Sequence, residues 1–575
     1  MNKPIATHLA NMLLVPLLAL SLVSMAFGQT APRRIALLVG IGDYSDAKLN
    51  LEGPPHDVAA MKDVLVRRWG FQAQDVKTLV DRQATRDNIL AELAALSKRS
   101  SANDEVLVYF SGHGTSALDS GYGATIPLPH GSGAFVPVDF ATKTNPGVGD
   151  LIVGRTDLVP VFSALEAGGR HLWVISDSCY SGQQVRSSGL IQPDELPSRM
   201  IPLMVKTEDA QAQRADLALA GKADRPEPYP YKATAFLAAS GEGERAKDIP
   251  KYSLKKMGTT DDKPHGAMTD ALLRVLKGEI PGDLDGDGVM TLNEVHRATS
   301  DFMAQRAYGH TPIRLPAVAE DAQGLGNRAV LNVRNVAMVA TRQDIKPLRV
   351  RADSASSAVM SAISGIPDLR MVKSGEDTDI VLKLGKDGNR IGLLAASGDF
   401  LAGIPAAETG RIVAQVRQLA WAQRLRGLAE KHRRGALEVG IDPEVRSGNF
   451  TPGQRISFVA RPDKNATLVL LNINADGKVA VLYPQVSAED KPLPAGQASH
   501  IPGTADHQRI LVQEPFGMDM QFVFAFDQPP SGLDGLHHLE NADPSDPRLA
   551  AFERSIGSMS GKFTFASTEL RTLKP

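Results

Sequence analysis

The one cysteine of this 575-residue chain, Cys179, lies in Ser176-Asp-Ser-Cys-Tyr-Ser-Gly182, directly after the apolar run His171-Leu-Trp-Val-Ile175. His113 occupies a matching place, because Val106-Leu-Val-Tyr-Phe110 runs into Ser111-Gly-His-Gly114. A thiol becomes a nucleophile when a nearby imidazole takes its proton, and the imidazolium can then protonate a leaving amine. A cysteine and a histidine, each at the tip of an apolar strand, fit that acyl-transfer chemistry, with Cys179 as nucleophile and His113 as base. The oxyanion formed by such an attack needs N–H donors, and the backbone amides of Gly114 and Cys179 fall at suitable turns. The plainer alternative is a structural thiol beside an unrelated loop histidine.

A second candidate site is the acidic stretch Asp283-Leu-Asp-Gly-Asp-Gly-Val-Met-Thr-Leu-Asn-Glu294. It fits the twelve-residue calcium loop at each diagnostic position. Ligands would come from Asp283, Asp285, Asp287, the Val289 carbonyl, Thr291 and Glu294, with Gly288 making the turn. Ca2+ is therefore the expected cofactor, with a role in ordering its surroundings and not in the chemical step; no organic cofactor is expected. The alternative is an acidic turn that caps the helix from Leu292 onward.

The elements that must position these residues read as alternating strand and helix. Ile35–Val39, Lys77–Val80, Glu105–Phe110 and Leu172–Ser176 are the expected strands. Asp57 is expected to open a helix carrying Val58, Met61 and Leu65, Thr85 to cap a second, and Leu158–Leu165 to form a third. Such alternation implies an α/β fold with a parallel sheet, whose sites lie beyond the carboxyl ends of the strands. His113 and Cys179 both fall there. A polar stretch, 183–231, follows without periodicity, then a strand at Ala233–Ala239 and a helix at Gly266–Leu276.

Tyr109-Phe-Ser-Gly-His-Gly114 and Asp177-Ser-Cys-Tyr-Ser-Gly182 resemble the His-Gly and Asp-x-Cys-x-Ser-Gly blocks of the caspase-like cysteine peptidases, above all the metacaspases and their bacterial relatives. Ala36–Gly42 is similar to the opening strand of that fold, and the resemblance spans about residues 33–315. It implies a caspase-like sheet with flanking helices and cysteine endopeptidase activity through Cys179 and His113. It also implies a pocket for a basic side chain, lined by Asp177 and Asp57, so that cutting follows Arg or Lys in protein or peptide substrates. Paired carboxylates would select such residues through charge-assisted bonds. Where relatives read Asn-Asp, this chain has His56-Asp57, and a helix N-cap is the other reading of Asp57. Arg186, Arg199, Lys206, Arg214, Lys222 and Arg225 in the polar stretch are sites at which such an enzyme could process itself.

Bulk properties narrow the setting. Lys3, the apolar Met12–Phe27 and the small residues before Gln29 read as a signal peptide, an uncleaved anchor being the alternative. Export to the periplasm or beyond follows from that segment, and since an exported chain normally carries no cysteines or paired ones, the lone Cys179 points to chemistry and not packing. A net charge of −2 and 5% aromatic residues argue against nucleic-acid partners, which need basic patches and stacking surfaces. The expected domains are the signal at 1–28, a caspase-like domain at 33–335 (halves 33–182 and 232–335 around the linker 183–231), a mixed α/β linker region at 336–435, and a β-sandwich at 436–575. Asp476-Gly477 marks a hairpin in the last of these. That sandwich resembles a bacterial domain of unassigned function, with a binding role, toward an envelope partner, as its default. A catalytically silent recognition or scaffold protein is the alternative function.

Overall fold

The computed structural model describes residues 32–572, leaving out 117–132, 141–146, 180–195, 200–228, 242–243, 307, 333–344, 354–356, 386–387, 443–448, 485–491 and 538. The expected signal segment at 1–28, and Arg186, Lys206, Arg214, Lys222 and Arg225, lie outside the described residues. No helix among the described residues is long and apolar enough to cross a membrane.

The first part is built on strands β1 (Arg34–Gly40), β2 (Val76–Val80), β3 (Glu105–Ser111), β4 (His171–Asp177), β5 (Thr234–Ala238) and β6 (Ile313–Leu315). Their order is β6-β5-β4-β3-β1-β2; five run parallel, and β6 pairs antiparallel with β5. Helices α1 (Gly53–Arg68), α2 (Arg86–Arg99), α3 (Val159–Ala167), α4 (Ala267–Lys277) and α5 (Leu292–Gln305) flank the sheet.

Alternation along each strand explains the layering. Ala36, Leu38, Leu107, Tyr109, Trp173 and Ile175 share a core with α1, α4 and α5. Ile35, Leu37, Val39, Val106, Val108, Phe110, Leu172 and Val174 share the other core with α2 and α3. Both faces are covered, which is why these strands read as unbroken apolar runs. Register then aligns the strand ends: Gly40 lies opposite Ser111, and Ser111 opposite Asp177. The residues after those three positions, and so His113 and Cys179, emerge at one edge of the sheet.

One local expectation is corrected. Helix α1 begins at Gly53, with Pro54 in its first turn, so Asp57 is a fully buried residue inside the helix and not its cap. Proline is well suited to a first turn, where its missing N–H has no partner to lose.

The region 336–435 is more than a linker. It holds a five-stranded sheet of β7 (Leu348–Asp353), β8 (Leu369–Met371), β9 (Ile380–Leu384), β10 (Arg390–Ala395) and β11 (Phe400–Pro405), in the order β8-β7-β9-β10-β11. Two helices accompany it, α6 (Ser357–Ser364) and α7 (Thr409–His432). The C-terminal part is a sandwich. Its larger sheet includes β13 (Thr467–Ile473), β14 (Val479–Tyr483), β15 (Met518–Phe526) and β16 (Phe563–Thr572), and the smaller is built around β12 (Arg455–Arg461). Sequence periodicity missed β16 and helix α8 (Pro547–Ser558), which covers the outer face of the larger sheet.

Helix α7 is shared between the last two parts. Ile412, Val416 and Ala420 enter the core of the middle sheet, while Trp421, Ala422, Leu425 and Ala429 enter that of the sandwich. Because one rigid helix serves two cores, these parts should unfold together. Leu425→Ala is expected to cost about 2–5 kcal/mol, with middle-sheet and sandwich signals lost in one urea transition. Two separate transitions would show that the helix does not couple them.

Candidate active site

The strand ends bring together a buried charged cluster. Asp57, Asp177 and Asp248, all fully buried, surround the guanidinium of Arg199, which is also fully buried. Arg199 Nη2 donates to Asp57 Oδ2 at 2.8 Å and to Asp248 Oδ1 at 2.7 Å. Its Nη1 donates to Ser111 Oγ at 2.8 Å and the Asp177 carbonyl at 3.0 Å, and lies 3.3 Å from Asp177 Oδ2. Gly266 forms one wall, and a methyl group there would run into the Asp177 carboxylate and the guanidinium.

The three carboxylates differ. Burial pushes Asp177 and Asp248 up despite the neighbouring guanidinium. Burial also opposes ionisation of Asp57, but Arg199 and His265 together hold it below the usual carboxylate range. His265 Nδ1 is 2.8 Å from Asp57 Oδ1 and its Nε2 is 2.8 Å from Asp261 Oδ1. Burial disfavours the charged ring, yet these two carboxylates more than offset it and hold the imidazole up to about 9.

The backbone of Arg199 is as tightly held as its side chain. Residues 196–199 run antiparallel to 246–248: Arg199 N–H donates to the Ala246 carbonyl, Asp248 N–H to the Pro197 carbonyl (both 2.9 Å), and Ser198 faces Lys247. The Arg199 carbonyl oxygen accepts from Gly114 N–H at 3.0 Å and Cys179 N–H at 3.4 Å. These are the two amides singled out in the sequence as oxyanion donors. A methyl group at Gly114 would run into the Cys179 carbonyl, so only glycine lets these turns approach so closely.

His113 and Cys179 flank this carbonyl but share no hydrogen bond with each other. Cys179 Sγ accepts from Ala246 N–H at 3.1 Å and lies 3.8 Å from Ser198 Oγ. His113 Nε2 is 2.7 Å from the Leu49 carbonyl oxygen, and its buried Nδ1 has no hydrogen-bond partner among the described residues. Tyr44 Oη accepts from the His113 N–H at 2.9 Å and fixes the turn. Burial pushes the thiol up to about 11 and the imidazole down to about 4. Both groups are thus neutral near pH 7.

At 283–294 the carboxylates of Asp283, Asp285 and Asp287 converge, each offering an oxygen within 4.8 Å of the others. Gly288 has φ +87°, Val289 opens a short strand, and Asp283 Oδ2 accepts from Gly288 N–H at 2.9 Å. An oxygen-only, carboxylate-rich donor set of this kind fits a hard divalent cation. Glu294 has a second engagement: one oxygen accepts from Leu284 N–H at 2.8 Å, the other from Thr291 N–H at 2.9 Å. With Thr291 it forms the capping box of α5, so the helix-capping alternative is realised too. Burial pushes Glu294 up to about 7.

Sequence reasoning did not find Asp248, Ser111 or His265 as members of the site. Asp248 and His265 arrive through the short antiparallel pairing of Asp248–Ile249 with His265–Gly266, a nonlocal contact without a local signature. Arg199 was visible only as one basic residue among six in a polar stretch.

Comparison with known proteins defines the class of this part of the chain. Residues 33–316 match the family model described as the caspase domain, and residues 449–529 match a domain of unknown function (DUF4384). The chain thus carries a caspase domain with a caspase-like fold, followed by a β-rich region that includes the second domain. Among curated proteins it is similar to metacaspase-9 of Arabidopsis thaliana, 28% identical over 39% of this chain and 63% of that protein. It is also similar to metacaspase-4 of the same plant (33%; 26% of this chain, 33% of that one) and metacaspase-1 of Scheffersomyces stipitis (30%; 27% and 38%). The chain therefore spans less than two thirds of the length of these relatives. Solved structures include a Geobacter sulfurreducens protein, 19% identical, TM-score 0.34, covering 52% of this chain and 99% of that one. Another is pro-sf-caspase-1, 11% identical, TM-score 0.24, covering 49% and 91%.

Two measurements follow from this geometry. Cys179 of the intact chain should resist iodoacetamide at pH 7.5, and Arg199→Ala, which frees the strand, should react at least about tenfold faster, since the thiolate is the reactive form. Equal rates would show that residues 196–199 do not shield the thiol. His265 gains its proton on folding, so its stabilising contribution is complete below about 6.5 and fades as pH rises through about 9. Urea midpoints of the native chain should therefore fall between pH 7 and 9.5, and His265→Gln should lessen that slope.

Proposed function

We propose that the chain is an exported cysteine endopeptidase that cuts after Arg or Lys, made latent by its own Arg199. The observation that carries this reading is the double capture of Arg199: guanidinium among three carboxylates, carbonyl oxygen between the amides of Gly114 and Cys179. That is how a substrate residue preceding a scissile bond would be held, and the bond that follows it is Arg199–Met200.

In the proposed reaction His113 takes the thiol proton and Cys179 Sγ attacks the Arg199 carbonyl carbon. Charge on the oxygen is met by the Gly114 and Cys179 N–H groups. Collapse breaks the bond to the Met200 nitrogen, which receives the proton from His113, and leaves a thioester on Cys179. Water, deprotonated by His113, then releases the Arg199 carboxylate and restores the thiol. Departure of this first product would open the groove to other chains. An Arg or Lys ahead of the cut would replace the Arg199 charge, whereas an aspartate would add a fourth carboxylate to three buried ones.

Ca2+ is proposed to bind Asp283, Asp285, Asp287, the Val289 carbonyl, Thr291 and Glu294, relieving carboxylate crowding at the start of α5. Its effect would be on the order of the surrounding half-domain, since no group of the loop touches Cys179 or His113. Substrates would be proteins with accessible basic residues, and the C-terminal domain would tether the enzyme to an envelope component.

The test uses the mature chain from Gln29 and Cys179→Ala, with fluorogenic peptides ending in Arg, Lys or Asp, with and without calcium, and intact-mass analysis. Expected are a cut after Arg199 and cleavage after Arg and Lys at least about a hundredfold over Asp, both stimulated by calcium and absent from the variant. A folded chain that stays uncut and cleaves nothing would favour the scaffold alternative, and equal cleavage after Asp would remove the acidic pocket's role.

A further inference from the structure

The strand that holds Arg199 is bounded at its far end by a part of the chain outside the caspase domain. Leu196 lies three residues before Arg199, and its N–H donates to the Ser397 carbonyl oxygen at 2.9 Å. Ser397 belongs to the turn Ala396–Asp399 between β10 and β11 of the middle sheet. The Leu196 side chain is buried in the same apolar cluster as Ala239, Ala246, Tyr308 and Ala396.

This turn is fastened to the groove by one carboxylate. Asp399 Oδ1 lies 2.9 Å from the Lys247 ammonium, which is 1% exposed, and Lys247 is the residue paired with Ser198 across the groove. Asp399 Oδ2 accepts from Ser397 Oγ at 2.6 Å and from Gly309 N–H at 3.0 Å. Burial would raise this carboxyl, but Lys247 and Ser397 hold it down to about 2. The turn is therefore fixed beside the bound strand by an ion pair between the buried Lys247 of the segment 246–248 and the partly exposed Asp399 of the middle sheet's turn.

We propose that the Ala396–Asp399 turn is part of the substrate groove, a subsite that takes an apolar side chain and its N–H three residues before the basic residue at the cut. The middle sheet thereby contributes to specificity: its Ser397 carbonyl extends the antiparallel pairing that 246–248 begins, and Ala396 completes an apolar wall. Asp399 acts as a positioning residue, through Ser397 and Lys247. The inference rests on the peptidase reading above.

The experiment compares acetyl-Leu-Pro-Ser-Arg, acetyl-Gly-Pro-Ser-Arg and acetyl-(N-methyl-Leu)-Pro-Ser-Arg fluorogenic amides with benzoyl-Arg amide, which is too short to reach Ser397. Full-length mature chain is used with calcium, and kcat/KM of each tetrapeptide is divided by that of benzoyl-Arg amide. Replacing Leu by Gly should lower this ratio about tenfold or more, as loss of a buried leucine requires. N-methylation, which removes only the donor to Ser397, should lower it about three- to tenfold. In Asp399→Ala both penalties should shrink to within about twofold. Ratios insensitive to Leu, Gly and N-methylation would overturn the subsite without needing any variant to fold, and penalties unchanged in Asp399→Ala would overturn the role of the turn. Failure to cleave even benzoyl-Arg amide would instead remove the peptidase reading, and this inference with it.

Discussion

Three carboxylates gathered in the dry interior around one guanidinium are the constraint on which the rest depends. Buried charges of one sign are tolerated only when paired and hydrogen-bonded, because the desolvation cost is several kcal/mol for each ion. Asp57, Asp177 and Asp248 come from α1, β4 and the loop strand after β5, so their pairing with Arg199 ties three separated stretches together. His265 adds a second cation on the far side of Asp57 and balances the cluster further. A pocket this acidic favours occupation by a cation. In the intact chain the cation is its own.

The same burial keeps Cys179 and His113 in their neutral forms. With the thiol pushed up to about 11 and the imidazole pushed down to about 4, the thiolate is strongly disfavoured near pH 7. Cys179 Sγ rests against the Ala246 amide, and His113 Nδ1 faces no partner among the described residues. In the proposed reading, latency arises from solvent exclusion and from occupation of the site by residues 196–199, whose Arg199 carbonyl already meets the Gly114 and Cys179 amides.

Beyond the first sheet, the molecule is held by shared elements. Helix α7 inserts one end in the middle sheet and the other in the sandwich. Asp399 reaches from the middle sheet to Lys247 beside the groove. The acidic loop lies against the start of the sandwich, where a methyl group on Gly435 would sit 3.4 Å from Asp285 Cβ. The middle sheet is therefore in contact with the segment 246–248, and the sandwich with the acidic loop.

The sequence by itself determined the elements and the tips. Unbroken apolar runs named β1, β3 and β4 to within a residue or two, since strands buried on both faces have no other pattern. The positions after them placed His113, Cys179 and the Gly114 amide at one sheet edge. The convergence of the carboxylates of Asp283, Asp285 and Asp287 and the Asp476-Gly477 hairpin were legible because each depends on residues close together in the chain. What only the tertiary structure decided is what closes the pocket: Asp248 and His265 through a nonlocal strand pair, Arg199 among six basic residues, and Ser397 from another sheet. Ion pairs and strand edges between distant segments leave no periodicity, because their partners are chosen by packing and desolvation, not by spacing along the chain.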